Sequence, residues 1–399
     1  MGFSCGVGYS DDRNPNIAGR DAATAALQSA GITEPDLILL FSTVGYKQHI
    51  IYNAVRQTAG NAPIFGCSGE GIIFRDKSVE TNFSVAVAVI KSDEYRFATA
   101  SSLGLKENSN KVGRSIGSSL KDTLHGANPL GLLTFADGLT MNYDQLVSGL
   151  MDEMSPGKML PHFGGTAADN WKFEGTYQYT DKGVCSDAAT CALIYGSGKL
   201  VYGVKHGCVP VGDERTVTRS VANRIHEIDG KPALQVINEY LSVAERNDDW
   251  QKTNVYLSIG IKAPEFMRGY DDYMIRFMPM RDEADGSVYV PTEIAEGTRF
   301  YMTRRDFDKI AQGNQNLVEE IKSQLSGNLP RFVLQIECGG RGKIIFKDEE
   351  KQSLLKLVQQ GIDPQGVVPW IGVYTYGEFS PVQGVNCFHN YSNVLICFQ

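Results

Sequence analysis

The sequence of 399 residues lacks a long apolar run and has no excess of positive charge. No stretch approaches the ~18 consecutive apolar residues that a membrane helix needs, and the first residues contain neither the basic nor the apolar segment of a signal peptide. The net charge is −8, and no run rich in Lys or Arg occurs. We therefore expect a soluble, cytoplasmic protein without a membrane span, whose main partner is neither nucleic acid nor an anionic membrane.

Cysteine is sparse, and the common nucleotide motifs are missing. The chain has 8 cysteines, and no two of them form a C-x-x-C pair. This spacing argues against a disulfide scaffold and against covalently attached haem. Neither G-x-G-x-x-G after a first strand nor G-x-x-x-x-G-K-[ST] is present. With 42% hydrophobic residues, the chain is long enough for two domains with a sizeable core each.

Two related glycine turns stand out in the first half of the chain. They occupy Ala62 to Phe74 (APIFGCSGEGIIF) and Leu160 to Phe173 (LPHFGGTAADNWKF). Small residues let the backbone approach another group closely, as at a binding site. The corresponding positions are Pro63 and Pro161, Phe65 and Phe163, Gly66 and Gly164, Ser68 and Thr166, and Phe74 and Phe173.

The similarity extends to both sides of the two turns. Residues 36–90 and 131–196 each read as a strand, an amphipathic helix, a strand that ends in the glycine turn, and another strand. An internal duplication is the simplest explanation. We therefore predict an α/β (α+β) fold with duplicated strand-helix-strand-strand units, and we expect the two turns to lie near a common cleft.

The rest of the chain suggests a second domain related to the first. We predict an N-terminal segment at 1–29, an N-terminal domain at 30–225 that carries the duplicated units, and a C-terminal domain at 226–399. The pattern changes near residue 225, where alternating residues give way to a turn and a helix. The final unit, from Phe332 onward, repeats the order strand, glycine loop, helix, strand and strand.

Several motifs carry a family resemblance. The GCS turn with a downstream FGGTAADNWKF segment, the run GCVPVG…VTR…IHEIDGKPAL, and the terminal ECGGRG…GVYTYGEFSP…FHNYS resemble the FIST sensory domain with its N-terminal and C-terminal modules. The resemblance covers about residues 30–399. It implies an intracellular sensor that binds a small ligand and regulates a partner, often a histidine kinase of a two-component system or a cyclic-di-nucleotide enzyme. No kinase, receiver or cyclase segment is attached, so we expect a stand-alone sensor. The family's last turn more often reads His-Asn-His/Gln-Thr, whereas this chain has His389 to Ser392 (HNYS).

The candidate ligand-binding residues lie in the glycine turns and in two loops of the C-terminal module. Asp169 and Asn170 either bind an amine or hydroxyl, or cap the next turn by bonding their own backbone; Glu70 has the same two interpretations. The predicted pocket is formed by Gly164, Gly165, Thr166, Asp169, Asn170, Ser68, Glu70, Arg341 and Glu378.

Arg341 and Glu378 are oppositely charged and lie in loops of the same unit. They form a structural ion pair with each other, or Arg341 is free to bind a ligand carboxylate. Sequence alone leaves both alternatives open, and the ligand and any metal stay unknown.

Haem is an alternative ligand, because some FIST-like proteins are nitric-oxide-sensing haemoproteins that act on a histidine kinase or a cyclic-di-GMP enzyme. The resemblance to that branch is clearest around VKHGCVPVG. Non-covalent haem needs an axial ligand in an apolar pocket. The candidates are His206, His162 and His389.

A hydrolase is the second alternative. Gly66, Ser68 and Glu70 partly match the G-x-S-x-G nucleophile elbow, but Glu70 stands where the motif requires glycine. The surrounding pattern also predicts strand, turn and strand, without the helix that should follow an elbow. We therefore expect a binding protein that is not an enzyme.

Overall fold

The computed structural model describes residues 2–124, 126–154, 159–250, 253, 257–267 and 270–399. Within these ranges the α-helices are α1 (Pro15–Ala30), α2 (Gln48–Ala59), α3 (Leu105–Lys121), α4 (Tyr143–Met154), α5 (Ala233–Asn238), α6 (Val243–Arg246), α7 (Phe307–Leu325) and α8 (Asp348–Ile362). None of these helices is long and apolar enough to cross a membrane.

Strands occur along the whole length of the described residues. The first half contains β1 (Phe3–Ser10), β2 (Leu37–Ser42), β3 (Ile64–Ser68), β4 (Gly71–Phe74), β5 (Lys77–Val79), β6 (Val85–Ser92), β7 (Tyr95–Leu103), β8 (Pro129–Ala136), β9 (His162–Thr166), β10 (Gln178–Thr180), β11 (Gly183–Cys185), β12 (Ala188–Gly196) and β13 (Leu200–Lys205). The second half contains β14 (Cys208–Val221), β15 (Arg224–Ile228), β16 (Lys231–Pro232), β17 (Ser258–Lys262), β18 (Tyr273–Arg276), β19 (Arg281–Asp282), β20 (Ser287–Tyr289), β21 (Arg299–Arg305), β22 (Phe332–Cys338), β23 (Trp370–Thr375), β24 (Glu378–Val382), β25 (Val385–His389) and β26 (Asn393–Phe398).

Three six-stranded sheets share one strand order. The orders are β1-β6-β2-β3-β10-β11, β7-β12-β8-β9-β24-β25 and β13-β26-β22-β23-β4-β5. In each sheet only the third and fourth strands are parallel to each other, as in the pairs β2 with β3, β8 with β9 and β22 with β23. The predicted α/β fold and its duplication are therefore confirmed. The related C-terminal unit is a third copy of the same strand order.

The three units exchange hairpins in a cycle. The hairpin β4–β5 of the first unit pairs with β23 of the third, β10–β11 of the second pairs with β3 of the first, and β24–β25 of the third pairs with β9 of the second. The main hydrophobic core accordingly contains residues of all three sheets, such as Phe41, Phe135 and Ile336. This exchange interlocks the units and brings their loops together.

Local sequence explains the helices that cover these sheets. At the start of α1, the Asn14 side chain accepts a hydrogen bond from the Asn16 backbone, and at its end Gly31 adopts the left-handed conformation of a C-cap. The buried face of α1 consists of small residues, including Ala18 and Ala22. The amphipathic helix predicted within each of the units 36–90 and 131–196 is confirmed as α2 and α4.

A separate sheet is inserted between β13 and α7. It contains β14 to β21 in the order β18-β17-β21-β14-β15-β20-β19, with β16 paired to β15. It has its own hydrophobic core, which includes Val217, Ile225 and Trp250. The predicted domain boundary near residue 225 lies in β15. How the chain divides into independently folding domains stays a prediction.

Candidate functional site

Three equivalent loops, one from each unit, meet at the carboxyl ends of the parallel strands. They follow Ser68, Thr166 and Thr375, which occupy the same register position in their sheets. The loops supply four side chains that we call the three-loop cluster: Glu70, Asp169, Trp171 and Tyr376.

Short hydrogen bonds connect the members of the three-loop cluster. The Tyr376 hydroxyl donates to Asp169 Oδ1 over 2.6 Å. The Trp171 backbone N–H lies 2.7 Å from Glu70 Oε1 and 3.0 Å from the Tyr376 oxygen. Phe173 stacks on Tyr376 with ring centroids 4.8 Å apart. Each unit therefore contributes one polar side chain to a single network.

The Asp169 carboxylate caps its own loop. It accepts backbone N–H groups from Phe173, Glu174 and Gly175 at 2.9, 2.7 and 2.9 Å. The neighbouring Asn170 donates through Nδ2 to Asn82 Oδ1 over 2.6 Å. Of the two interpretations that the sequence left open for Asp169, the structure shows the capping role.

The loop that Asp169 caps is strained. Asn170, Trp171 and Phe173 all have positive φ, at 59°, 58° and 54°. Non-glycine residues rarely adopt this conformation, which costs on the order of 1 kcal/mol for each residue. The cluster's hydrogen bonds and ring contacts hold the loop in this shape.

Glu70 is fully buried and incompletely satisfied. Burial raises its pKa to about 7, although the hydrogen bond from the Trp171 N–H favours the charged form. Among the described residues, neither Glu70 Oε2 nor Trp171 Nε1 has a hydrogen-bond partner. A Cβ atom on Gly339 would lie 2.8 Å from Glu70 Cγ and 3.3 Å from Trp171 Cζ2. The two side chains that carry the unpaired acceptor and the unpaired donor therefore both lie close to Gly339.

The Gly-Gly segment lies inside a sheet. Gly164 and Gly165 belong to β9 and pair with Phe379 and Glu378 of β24. The Thr166 backbone N–H donates to the Gly377 carbonyl over 2.8 Å. The close backbone approach that these small residues predicted is confirmed, but the approaching group is a strand of the third unit.

Ser68 positions the loop of the second unit. Its Oγ donates to the Ala168 carbonyl over 2.7 Å and accepts the Tyr177 N–H over 3.0 Å. Both hydrogen bonds join backbone groups, and the Ser68 side chain is fully buried. The geometry gives no support to a nucleophilic role.

Arg341 and Glu378 do not pair, so the first of the two alternatives, an ion pair between them, is wrong. Arg341 Nε donates to Glu337 Oε1 over 2.9 Å, and its Nη2 donates to Asn314 Oδ1 over 2.8 Å. The reason is the 3-10 turn Gly339–Arg341, which brings the Arg341 side chain back over the residue four positions earlier. Arg341 is fully enclosed in this position, with Nε and Nη2 engaged inside the protein and Nη1 without a hydrogen-bond partner among the described residues.

Glu378 forms its own buried network. Thr375 Oγ1 donates to its Oε1 and Ser392 Oγ donates to its Oε2, both over 2.9 Å. Burial nevertheless raises the pKa of Glu378 to about 8. The third position of the last family turn, Tyr391, is buried beside this network.

Substitution of Glu378 by glutamine should change how stability depends on pH. The folded state holds the Glu378 proton up to pH of about 8, whereas an unfolded chain releases it near 4.5. The raised pKa of Glu378 therefore stabilises the folded parent fully below pH 4.5. This stabilisation is lost as the pH rises to 8, by at most about 1.4 kcal/mol per pH unit. Urea unfolding at several pH values should show Glu378→Gln gaining stability relative to the parent over this window. The exposed Glu319→Gln is the control, and parallel curves for parent and Glu378→Gln would contradict the assignment.

Two of the candidate haem-ligand histidines have both ring nitrogens engaged. His206 Nε2 lies 2.7 Å from the Tyr273 carbonyl, and its Nδ1 accepts the Cys208 N–H over 3.0 Å. His389 Nδ1 lies 2.7 Å from the Tyr270 hydroxyl, and its Nε2 lies 2.9 Å from the Ser380 carbonyl.

The third candidate, His162, is enclosed by aromatic rings. Its ring lies 5.9 Å from that of Tyr143 and 5.3 Å from that of Phe379, and burial lowers its pKa to about 3. None of the three histidines lines the cavities at the tips of the exchanged hairpins. Unlike His206 and His389, His162 has no hydrogen-bond partner for either ring nitrogen among the described residues. Among the described residues, no group of three or more His, Cys, Asp or Glu side chains could hold a metal ion.

Sequence analysis identified Glu70 and Asp169 but missed two members of the cluster. Tyr376 was not selected, although it directly follows Thr375, the third-unit equivalent of Ser68 and Thr166. Alignment of the third unit with the first two places Tyr376 in the equivalent loop, one residue after Thr375, whereas Glu70 and Asp169 lie two and three residues after Ser68 and Thr166. Trp171 was noted only as part of the motif.

Comparisons with known proteins agree with the motifs. The family models described as FIST N domain and FIST C domain match residues 36–231 and 233–381. An uncharacterized protein of Mycobacterium tuberculosis (strain ATCC 25618 / H37Rv) is 24% identical over 400 residues, which cover 98% of this chain and 99% of the relative. One of Methanocaldococcus jannaschii is 22% identical over 387 residues, covering 89% and 70%. A chorismatase crystal structure aligns over 100% of this chain and 99% of its own, with 7% identity and a TM-score of 0.39.

Proposed function

We propose, from the premise that this chain belongs to the FIST family, that it is a stand-alone sensory protein whose ligand binds at the three-loop cluster. FIST domains are sensory domains that bind small ligands in signalling. In this proposal the protein acts in the cytoplasm and regulates a partner such as a histidine kinase or a cyclic-di-nucleotide enzyme. In this proposal it is not an enzyme, and its ligand is not haem, because two of the three candidate histidines, His206 and His389, have both ring nitrogens engaged within the protein.

The observation that carries the proposal is the pair of unsatisfied atoms, Glu70 Oε2 and Trp171 Nε1. A buried polar atom without a partner costs about 1–3 kcal/mol. A ligand that offers one hydrogen-bond donor and one acceptor, as an amide or a carboxylic acid group does, would satisfy both atoms. This complementarity defines the chemical class of ligand that we propose.

The strained loop provides a way to transmit binding. A ligand shifts a conformational equilibrium only if its affinity differs between the two states. Entry to the cluster requires movement of the loop around Trp171, because Glu70 is fully buried behind it. Relief of the backbone strain at the left-handed residues would favour a second loop conformation. The outer side of this loop is exposed at Lys172 and Glu174. A partner protein that contacts this exposed side can therefore bind the two loop conformations with different affinity.

Two further features support a cytoplasmic binding protein. All 8 cysteines are free, which matches a reducing compartment. The Ser68 hydroxyl, the one candidate nucleophile, is occupied by backbone groups.

The proposal is tested by Glu70→Gln, which places an N–H donor where the unpaired acceptor stands without changing the side-chain volume. Purified parent and variant are dialysed against a small-molecule extract of cells, and the retained compounds are compared by mass spectrometry. We expect a compound that is retained by the parent and is bound at least tenfold more weakly by Glu70→Gln. A histidine kinase encoded beside the protein should respond to that compound with the parent only.

The control is Gly175→Ala, at a position where a Cβ atom meets nothing within 4 Å. All three proteins should have similar melting temperatures. Equal retention by parent and Glu70→Gln, or no retained compound, would contradict a ligand site at this cluster.

A further inference from the structure

Each exchanged hairpin closes a cavity against its own unit. The cavity volumes are about 410, 170 and 290 Å³ at the tips of β4–β5, β10–β11 and β24–β25. Every tip lies over the first strand and the first helix of the unit it comes from: β1 and α1, β7 and α3, and β13 and α7. The three units therefore carry cavities at equivalent positions, and the lining residues can be compared between them.

In the two smaller cavities the acidic groups are already paired. Asp181 accepts the Ile64 N–H over 3.1 Å with Oδ1 and the Thr99 hydroxyl over 2.5 Å with Oδ2. In the third unit, Lys205 Nζ lies 3.0 Å from Glu320 Oε2. These carboxylates are engaged within the protein.

The first cavity differs because one of its carboxylate oxygens has no partner. Asp363 follows α8 directly, lines the cavity and is only 5% exposed. Its Oδ2 accepts the Val368 N–H over 2.6 Å, whereas Oδ1 has no hydrogen-bond partner among the described residues. A buried carboxylate oxygen with no donor favours a ligand that supplies one.

The walls and the rim of this cavity restrict the ligand further. Val7, Val368 and Pro369 supply apolar surface. The rim carries Asp76 and Arg75, so that together with Asp363 the lining has one negative charge in excess.

The rim is also held in place. The Arg75 N–H donates to the Trp370 carbonyl over 3.0 Å, and Gln359 Nε2 donates to the Arg75 carbonyl. The Arg75 guanidinium lies over the Phe74 ring, 5.6 Å from its centroid. The hairpin tip is therefore fixed to the cavity wall by its backbone.

We propose that this cavity is a binding site for a small organic cation that carries a primary ammonium group on a short apolar body. The ammonium group donates to the Asp363 carboxylate after a small rotation of that side chain turns the enclosed Oδ1 toward the cavity, and Asp76 at the rim adds attraction. The apolar body packs on Val7, Val368 and Pro369. A volume of about 410 Å³ lies within the usual range for small-molecule sites. The site is distinct from the three-loop cluster and does not depend on the function proposed there.

The test uses n-butylamine as the probe, with n-butanol and butyrate as probes of the same body and different charge. Calorimetric titration of the full chain near pH 7.5 should show saturable binding of n-butylamine with a Kd of about 1 mM or lower. The two other probes should bind at least tenfold more weakly. Equal binding of the three probes, or no saturable binding of n-butylamine, would overturn the proposal.

Two variants locate the site. Asp363→Asn keeps an oxygen for the Val368 N–H and replaces the unpaired oxygen by a donor, so binding should weaken at least tenfold. Ser29→Trp, at an exposed position on the cavity wall, should also abolish binding while leaving every charge in place. Asp181→Asn, in the equivalent cavity of the second unit, is the control and should bind as the parent does. Unchanged affinity in both Asp363→Asn and Ser29→Trp would show that the cation binds elsewhere and would refute the assignment.

Discussion

Substitution of Gly164 by alanine should remove about 4 kcal/mol or more from the free energy of unfolding, or prevent folding altogether. Gly164 has a φ of 137°, and a Cβ atom there would lie 1.8 Å from the carbonyl oxygen of Thr134, its partner on the neighbouring parallel strand. Both atoms belong to the backbone of a buried sheet, so neither can move without breaking strand pairing. Urea unfolding, or the yield of folded protein if the variant is too unstable, measures the effect.

The same result is expected for Gly66 in the first unit. Its φ is 150°, and a Cβ atom would lie 1.9 Å from the carbonyl oxygen of Leu40. Gly175→Ala is the control, because its Cβ position is open. Gly164→Ala or Gly66→Ala with the stability of this control would show that the two glycines do not occupy the equivalent strained positions that the duplication requires.

The sequence was sufficient to predict the repeated unit because its signals are local. Apolar spacing predicted one amphipathic helix in each unit, and the matched turns around Gly66 and Gly164 identified the equivalent strand ends. The third copy was recognised only in outline. The inserted sheet β14 to β21 separates its first strand, β13, from its first helix, α7, and this removes the regular spacing by which a repeat is recognised.

The hairpin exchange could not be predicted from the sequence. A hairpin such as β24–β25 has the same alternation and the same turn whether it pairs with its own unit or with another. The consequence appears at the candidate site. Gly165 was predicted to admit a ligand, but the exchanged β24 occupies that space, with Glu378 directly opposite Gly165. Tyr376 reaches Asp169 for the same reason, because the loop before β24 is carried into the second sheet.

The charges were harder to assign than the strands. Opposite signs on Arg341 and Glu378 suggested a pair, yet a single 3-10 turn directs Arg341 to Glu337. In the sequence, Glu337 is a polar residue within an otherwise apolar strand. Its role as an ion-pair partner depends on the Arg341 side chain, which the 3-10 turn places beside it. Side-chain direction at a turn of this kind depends on backbone angles, which residue types alone do not determine.

The buried pair gives the second large expected effect. Glu337→Gln leaves the guanidinium of Arg341 buried without an anion, and arginine cannot relieve this by losing a proton. The two side chains are 7% and 0% exposed, so water cannot compensate. We expect a loss of about 3–5 kcal/mol in the free energy of unfolding, measured by urea denaturation at pH 7.

Removal of the cation, in Arg341→Met, should lower the free energy of unfolding less at low pH than at high pH. The carboxyl group of Glu337 that is left behind can become neutral by binding a proton, which arginine cannot do by losing one. Burial already raises the pKa of Glu337, and the nearby Arg341 opposes that rise. Arg341→Met removes the positive charge that lowers this pKa, so Glu337 holds its proton to higher pH. The loss in free energy of unfolding relative to the parent should therefore be smaller at pH 5 than at pH 8. The double variant Glu337→Gln/Arg341→Met should be more stable than Glu337→Gln alone.

An exposed ion pair supplies the matched control for this comparison. Arg219 and Glu227 lie 2.8 Å apart with side chains 52% and 35% exposed, so Glu227→Gln should cost less than about 1 kcal/mol. Losses of similar size in Glu337→Gln and Glu227→Gln would mean that water reaches Arg341. Additive losses in the double variant would mean that the two buried charges do not interact. Either outcome would contradict a buried structural pair, whereas the expected result supports Arg341 as a structural residue whose Nε and Nη2 hold the third unit's loop.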